Sequence, residues 1–247
     1  MACSHTHMAM AALAGTGLSI AAHLGTGGSA LVVLSSAGAG LLADADTPAS
    51  SVSHAAGVLG RLPLALFRRA SIRHRGVTHT LLAAGVAGFG VYGLGWLPVR
   101  WPLFVLVPAL LAWLAMRSLL TVGSGDYIRP VLSHNTRAWV GFLGAGGVGV
   151  LGYKISSNPS HLALWLGLAV FTGWLAHLLV DCAMSGVPLL WPAIPSLSKR
   201  VTLAHVKTEG VLDRLLGSAA LAGVIVLLWS HWHVESAATA IVHRLHT

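Results

Sequence analysis

Charge is what this sequence has least of. Only 9% of its 247 residues are Asp, Glu, Lys or Arg, against about 25% in ordinary globular chains. That excludes an ordinary soluble domain. No Lys or Arg precedes Arg61, so the first apolar segment lacks the basic start of a cleavable signal and is expected to remain as a helix. Two cysteines, Cys3 and Cys182, are too few for a disulfide framework. Cys182 adjoins a candidate ligand, yet a buried structural thiol is the expected role. A His-Glu-x-x-His zinc-protease signature is missing. Gly123-Ser124-Gly125-Asp126 has neither the elbow nor the partner spacing of a serine nucleophile. No internal repeat of the transporter kind is present.

What fills the space is apolar. Hydrophobic residues make up 55% of the chain and the mean hydropathy is +0.76. With 29 glycines to let helices approach closely, the expected fold is all-α: a polytopic membrane bundle forming one domain over 1–247. Apolar runs predict helices at 8–23, 26–43, 81–97, 102–120, 138–153, 161–181 and 211–230. The glycine-dense run at 141–152 is the weakest of the seven. Several runs are shorter than the roughly 20 residues a straight span needs.

Alternating sides through seven spans sorts the charges. Twelve of the fifteen Lys and Arg fall on the N-terminal side, and only Arg100, Lys154 and Arg244 on the other. The positive-inside rule makes the richer side cytoplasmic. It also accounts for the net charge of +8 without nucleic acid, since anionic lipid headgroups suit such loops. Of the seven acids, Asp44, Asp46, Asp126, Asp181, Glu209 and Asp213 gather on or beside that same face, and only Glu235 does not. The cytoplasmic face is therefore the expected functional face.

Three motifs carry chemistry there. Asp44-Ala45-Asp46 ends the second span, where two carboxylates are costly unless paired or metal-bound. They can serve one cation or bridge two. A solvated Asx turn before Pro48 is the plainer alternative. Arg73-His74-Arg75-Gly76-Val77-Thr78-His79 opens the third span. The two histidines are five apart, about 140° round a helix, so they cannot share a helical face. Convergence needs His74 in a Gly-containing turn, Thr78 at the N-cap and His79 in the first helical turn. Arg73 and Arg75 suit phosphate or carboxylate, because a guanidinium offers a planar fork of donors. Membrane anchoring explains Arg73 equally well. His177 and Asp181, at i and i+4 in the sixth span, share one helix face and suit one ion; Asp181 could instead orient the His177 ring. Gly186-Val187-Pro188-Leu189-Leu190-Trp191-Pro192 reads as a non-helical interfacial segment. His231, His233, His243 and His246 lie far from this face.

Taken in order, these motifs resemble the YdjM-like family of bacterial inner-membrane proteins, identified as metal-dependent hydrolases. The likeness covers residue 6 to about 192 and includes Thr6-His7, which matches a Thr-His near the family's N-terminus. A weaker echo runs from Lys207 to Arg214. The family is distantly similar to zinc-dependent phospholipases C and single-strand nucleases. This chain departs at Ala43, where Pro is usual, at Thr80, where Ser is usual, and at Cys182-Ala183-Met184-Ser185, where a Thr-Pro pair is missing.

The resemblance implies phosphoester hydrolysis at one to three divalent ions, zinc first, with Mn²⁺ or Fe²⁺ as alternatives. The implied metal ligands are His7, Asp44, Asp46, His74, His79, His177 and Asp181. Arg73, Arg75 and Thr78 would hold the substrate, and Asp44, Asp46 and Arg75 would act in catalysis. A lipid or lipid-linked phosphate suits a site under an apolar roof at the inner membrane. Two rivals stand beside this reading. One is a metal-binding membrane transporter or sensor; the other is a structural protein whose His–Asp pairs only join helices.

Overall fold

In the computed structural model the described residues are 4–47, 50, 52, 65, 69, 76–97, 100–122, 134–155, 159–184, 186–190, 201–203 and 210–246, with backbone alone at 4, 100–104, 121–122, 134–138, 152–153, 155, 159–160 and 235–246. They form seven α-helices: α1 (Ser4–Ala21), α2 (Thr26–Leu42), α3 (Leu81–Leu94), α4 (Arg100–Val122), α5 (His134–Ile155), α6 (Pro159–Met184) and α7 (Val211–His246). Two 3₁₀ turns, Ala43–Asp46 and Val77–His79, lie against each other. No strand occurs among the described residues, which hold one isolated antiparallel bridge, Val187 to Val201.

Local chemistry sets the joints. His23 takes a left-handed φ of 50° and closes α1: its N–H reaches the Ile20 carbonyl, and the Leu24 N–H reaches that of Ser19. Those two bonds are the Schellman pattern that glycine usually completes. Pro159 opens α6, where a missing N–H costs nothing. The expected weak run at 141–152 is continuous helix, within α5.

Two boundaries differ from expectation in ways that matter. α1 begins at Ser4, so His5 and His7 stand on the first turns of a helix instead of preceding it. Hydropathy cannot see a polar first turn. The cap of the third helix lies two residues later than expected: its N-cap is Thr80, whose hydroxyl accepts from the Ala83 N–H at 3.1 Å. Thr78 and His79 therefore sit in the 3₁₀ turn before it, held by the Thr80 hydroxyl on the Val77 carbonyl (2.8 Å) and the His79 N–H on that of Gly76.

α2 and α6 form the centre. α1 packs on both and also carries α7; α3 packs on α6; α4 joins α2 to α5. Backbones touch closely where α2 crosses α6, since a methyl at Gly173 would collide with the Ser36 carbonyl, and α1 comes equally close to α2, since one at Gly40 would strike the side chain of Ala11. Among the described residues three segments are long and apolar enough to cross a membrane, Thr26–Asp46, His161–Met184 and Val211–Val234, with shorter apolar helices at Leu81–Leu94, Val105–Leu120 and Trp139–Leu151.

Candidate metal centre

Seven polar residues from four elements converge where α1, α2 and α6 meet the two 3₁₀ turns. α1 brings His7; the first turn brings Asp44 and Asp46; the second brings Thr78 and His79; α6 brings His177 and Asp181. All seven are buried, and His79, His177 and Asp181 have no exposure at all. Such a cluster in an apolar bundle is unfavourable unless its charges are compensated.

Two hydrogen bonds fix which nitrogen of each inner histidine faces the cluster. His177 Nδ1 lies 2.7 Å from the Gly40 carbonyl. A carbonyl only accepts, so Nδ1 carries the proton and Nε2 is left with its lone pair. On the other side, the Thr78 hydroxyl donates to Asp46 Oδ2 at 2.8 Å. Having spent its one hydrogen there, Thr78 Oγ1 accepts from His79 Nδ1 at 3.0 Å. His79 Nε2 then turns inward, toward His177 Nε2 at 3.2 Å. Trp174, one turn before His177, steadies the arrangement by donating from its indole to the Thr78 carbonyl at 2.8 Å.

The inward atoms make a compact donor set. His79 Nε2 lies 3.5 Å from Asp44 Oδ1 and 3.3 Å from Asp181 Oδ2. His177 Nε2 lies 3.8 and 3.6 Å from the same two oxygens. Four donors round a zinc ion with bonds of about 2.0–2.2 Å stand about 3.3–3.6 Å apart along the edges of a tetrahedron. His79, His177 and Asp181 fit a divalent ion in both chemistry and spacing. His7 extends it: its ring stacks on His177 with centroids 3.9 Å apart, and its Nε2 lies 3.6 Å from the other oxygen of Asp181, Oδ1. Its Nδ1 is buried with no hydrogen-bond partner among the described residues. Two overlapping triads, His7–Asp44–His177 and His79–His177–Asp181, each bring three ligand atoms within 4.8 Å of one another.

Electrostatics agrees. Burial disfavours the His79 imidazolium, but the Asp181 and Asp44 carboxylates beside it outweigh that and raise its pKa from the usual 6.5 to about 9. The pocket is one that attracts positive charge.

A profile of the YdjM inner membrane proteins matches residues 1–242. The chain belongs to that family. Comparison with the curated proteins and with the solved structures gives no match. Family membership and the apolar helices together make this YdjM-family chain a membrane protein.

Several expected site residues thus stand together in this YdjM-family fold: His7, Asp44, His79, His177 and Asp181. Asp46 and Thr78 adjoin them on the outer side of the His79 ring, with Asp46 Oδ2 3.8 Å from Nδ1. Arg73, His74 and Arg75 lie outside the described residues, as does the Gly123–Asp126 stretch. Cys182 is buried and unbonded to another cysteine, its carbonyl accepting from the Leu203 N–H. Gly186–Leu190 is non-helical as expected, with Gly186 at φ 75°. On the far side, His231 Nε2 meets the Leu24 carbonyl at 3.3 Å. Sequence reasoning missed Gly40 and Trp174. Trp174 had a readable signal, three residues before a histidine on an otherwise apolar helix. Gly40 acts through its carbonyl, which no sequence pattern marks.

Proposed function

We propose that this protein is a multi-pass inner-membrane phosphoesterase that uses one or two divalent ions, zinc first, held by His7, Asp44, His79, His177 and Asp181. The observation that supports the reading is the buried donor set at 3.2–3.8 Å with the Nε2 of both inner histidines turned toward it. An ion there supplies Lewis acidity and lowers the pKa of water from about 16 toward about 7. The chain's own residues do the rest. Asp46 and Thr78 hold His79 from behind, an orienting arrangement common around ligating histidines. Asp44 has the most exposed side chain of the cluster, 11% against 0–1% for the others. It marks the rim where substrate enters, and its carboxylate takes the proton of the attacking water. Arg73 and Arg75, five and three residues before Thr78, are the anchors for a phosphate through their forked donors. With seven spans, the twelve-to-three split of basic residues puts the centre on the cytoplasmic side.

A second reading has its own observation. The two triads offer five protein ligands between them, and a site whose positions are all filled by protein ligands is the mark of a structural or sensing ion instead of a catalytic one. Hydrolysis separates the two. Detergent-purified, zinc-loaded protein is incubated with a panel of phospholipids and lipid phosphates, wild type beside Asp44→Asn. Release of phosphate or headgroup by wild type, strongly reduced in the variant, is the expected result. A protein that retains its metal and releases nothing supports the sensor.

A further inference from the structure

A groove lies along the seam between α3 and α6. These helices run antiparallel, since Gly88 faces Gly167 and Phe171 while Gly167 faces Tyr92. Gly88 and Gly167 bring the two backbones together, and beside that contact lies a cavity of about 380 Å³ bordered by Gly85, Gly88, Phe89, Tyr92, Gly167 and Phe171. It opens sideways, with Phe89 and Leu164 on its outer edge both exposed. The groove begins six residues from each of the two facing histidines: Gly85 beyond His79, and Phe171 before His177. Along α6 that is about 9 Å of helix. Phe171 also packs into the apolar cluster of Ala43, Ala84, Trp174 and Leu178 that backs the centre.

We infer that this groove seats one acyl chain of a membrane phospholipid whose phosphate lies at the His/Asp centre. The inference rests on the phosphoesterase reading and names its substrate class. The seam runs along the helix axes, the direction in which bilayer chains lie. Its lining is apolar apart from the Tyr92 hydroxyl. A bilayer is as apolar as the groove, so a chain alone gains little by entering. Occupancy is driven by the phosphate anchored at the centre, and the groove selects the chain attached to it. The space is also adjustable. A side chain built at Gly85 meets nothing within 4 Å, whereas one at Gly88 or Gly167 strikes the facing backbone. Gly85→Leu therefore fills the groove without parting the helices.

The test reads chain seating without hydrolysis. Full-length protein in phosphatidylcholine vesicles is exposed to phosphatidic acid carrying a photoactivatable diazirine in its chain, and adducts are mapped by mass spectrometry. Labelling is expected to concentrate at Phe89, Tyr92 and Phe171, to be displaced by excess phosphatidic acid, and to resist diacylglycerol, which lacks the phosphate. Gly85→Leu is expected to lower labelling there several-fold while labelling at Ile225 on α7 is unchanged. Even labelling of every exposed apolar face, equal displacement by diacylglycerol, or an unaltered pattern in a folded Gly85→Leu protein would overturn the inference. The wild-type competition stands if that variant fails to fold. Phosphate-dependent labelling of the seam in a protein that hydrolyses no ester would uphold the groove and dismiss the phosphoesterase.

Discussion

α6 and α7 carry apolar stretches of equal length, His161–Met184 and Val211–Val234, yet 61% of the first is buried and only 17% of the second. Hydropathy ranks them together. What separates them is the buried His–Asp pair that α6 carries. α6 finishes on His177 and Asp181, which need partners, and α1, α2 and the two 3₁₀ turns supply them. Among the described residues α7 packs chiefly on α1 and leaves Leu215, Ile225, Val226 and Trp229 exposed. In a membrane, apolar surface has no need to be hidden from its surroundings, so burial follows polar demand and close backbone packing. The helix with the chemistry becomes the core.

The largest contrast is expected in metal affinity. Titrating metal-stripped protein with zinc in a calorimeter, His177→Ala should weaken binding by more than about 100-fold, beyond what losing an outer hydrogen bond costs. Ile225→Ala, on α7, should leave the titration unchanged. Equal effects from both would break the distinction between the helices.

Next comes packing. Gly173→Val drives a side chain into the α2 backbone at Ser36 and should cost about 3 kcal/mol. Gly146→Val, on α5 where a side chain meets nothing within 4 Å, should stay within about 0.5 kcal/mol. Thermal unfolding in detergent compares them.

Within the centre itself, Thr78→Val removes the hydroxyl between Asp46 and His79. Zinc affinity should fall about 10–100-fold without loss of the fold. An unchanged affinity would mean that the tautomer lock is idle.

The last effect is graded by pH. In metal-free protein the His79 pKa is raised to about 9, so the ion-paired imidazolium contributes stability that is fully present below about 6.5 and lost as pH rises through about 9. Zinc must displace that proton, so its affinity should rise by up to about tenfold per pH unit across the same window. Stability of the metal-free form and affinity for the metal thus move in opposite directions. Calorimetry at a series of pH values reads the second, and unfolding of stripped protein the first.

Much of this is legible in the sequence. Seven apolar runs anticipate the seven helices of the described residues, and the spacing of His177 and Asp181 places both on one face. Alternation of sides groups Asp44, Asp46, His79 and Asp181. The turn chemistry was less readable. Both Thr78 and Thr80 can cap a helix, and the choice depended on Thr80 reaching both the Val77 carbonyl and the Ala83 N–H. That choice moves His79 off the helix and turns its Nε2 inward. The start of α1 was hidden because Ser4, His5, Thr6 and His7 carry no apolar signal, although Thr6 ties α1 to α7 through the Asp213 carbonyl at 3.0 Å. The tautomer of His177 was beyond sequence altogether, since it is set by a backbone carbonyl 137 residues away.

The most direct test is the metal content of protein purified in detergent from metal-replete cells, read by elemental mass spectrometry for wild type and Asp181→Ala. Asp181 faces all three buried histidines, so the account predicts at least about one equivalent of a divalent ion in wild type and its loss in the variant. A wild-type protein without metal, or a variant with the same content, would contradict it.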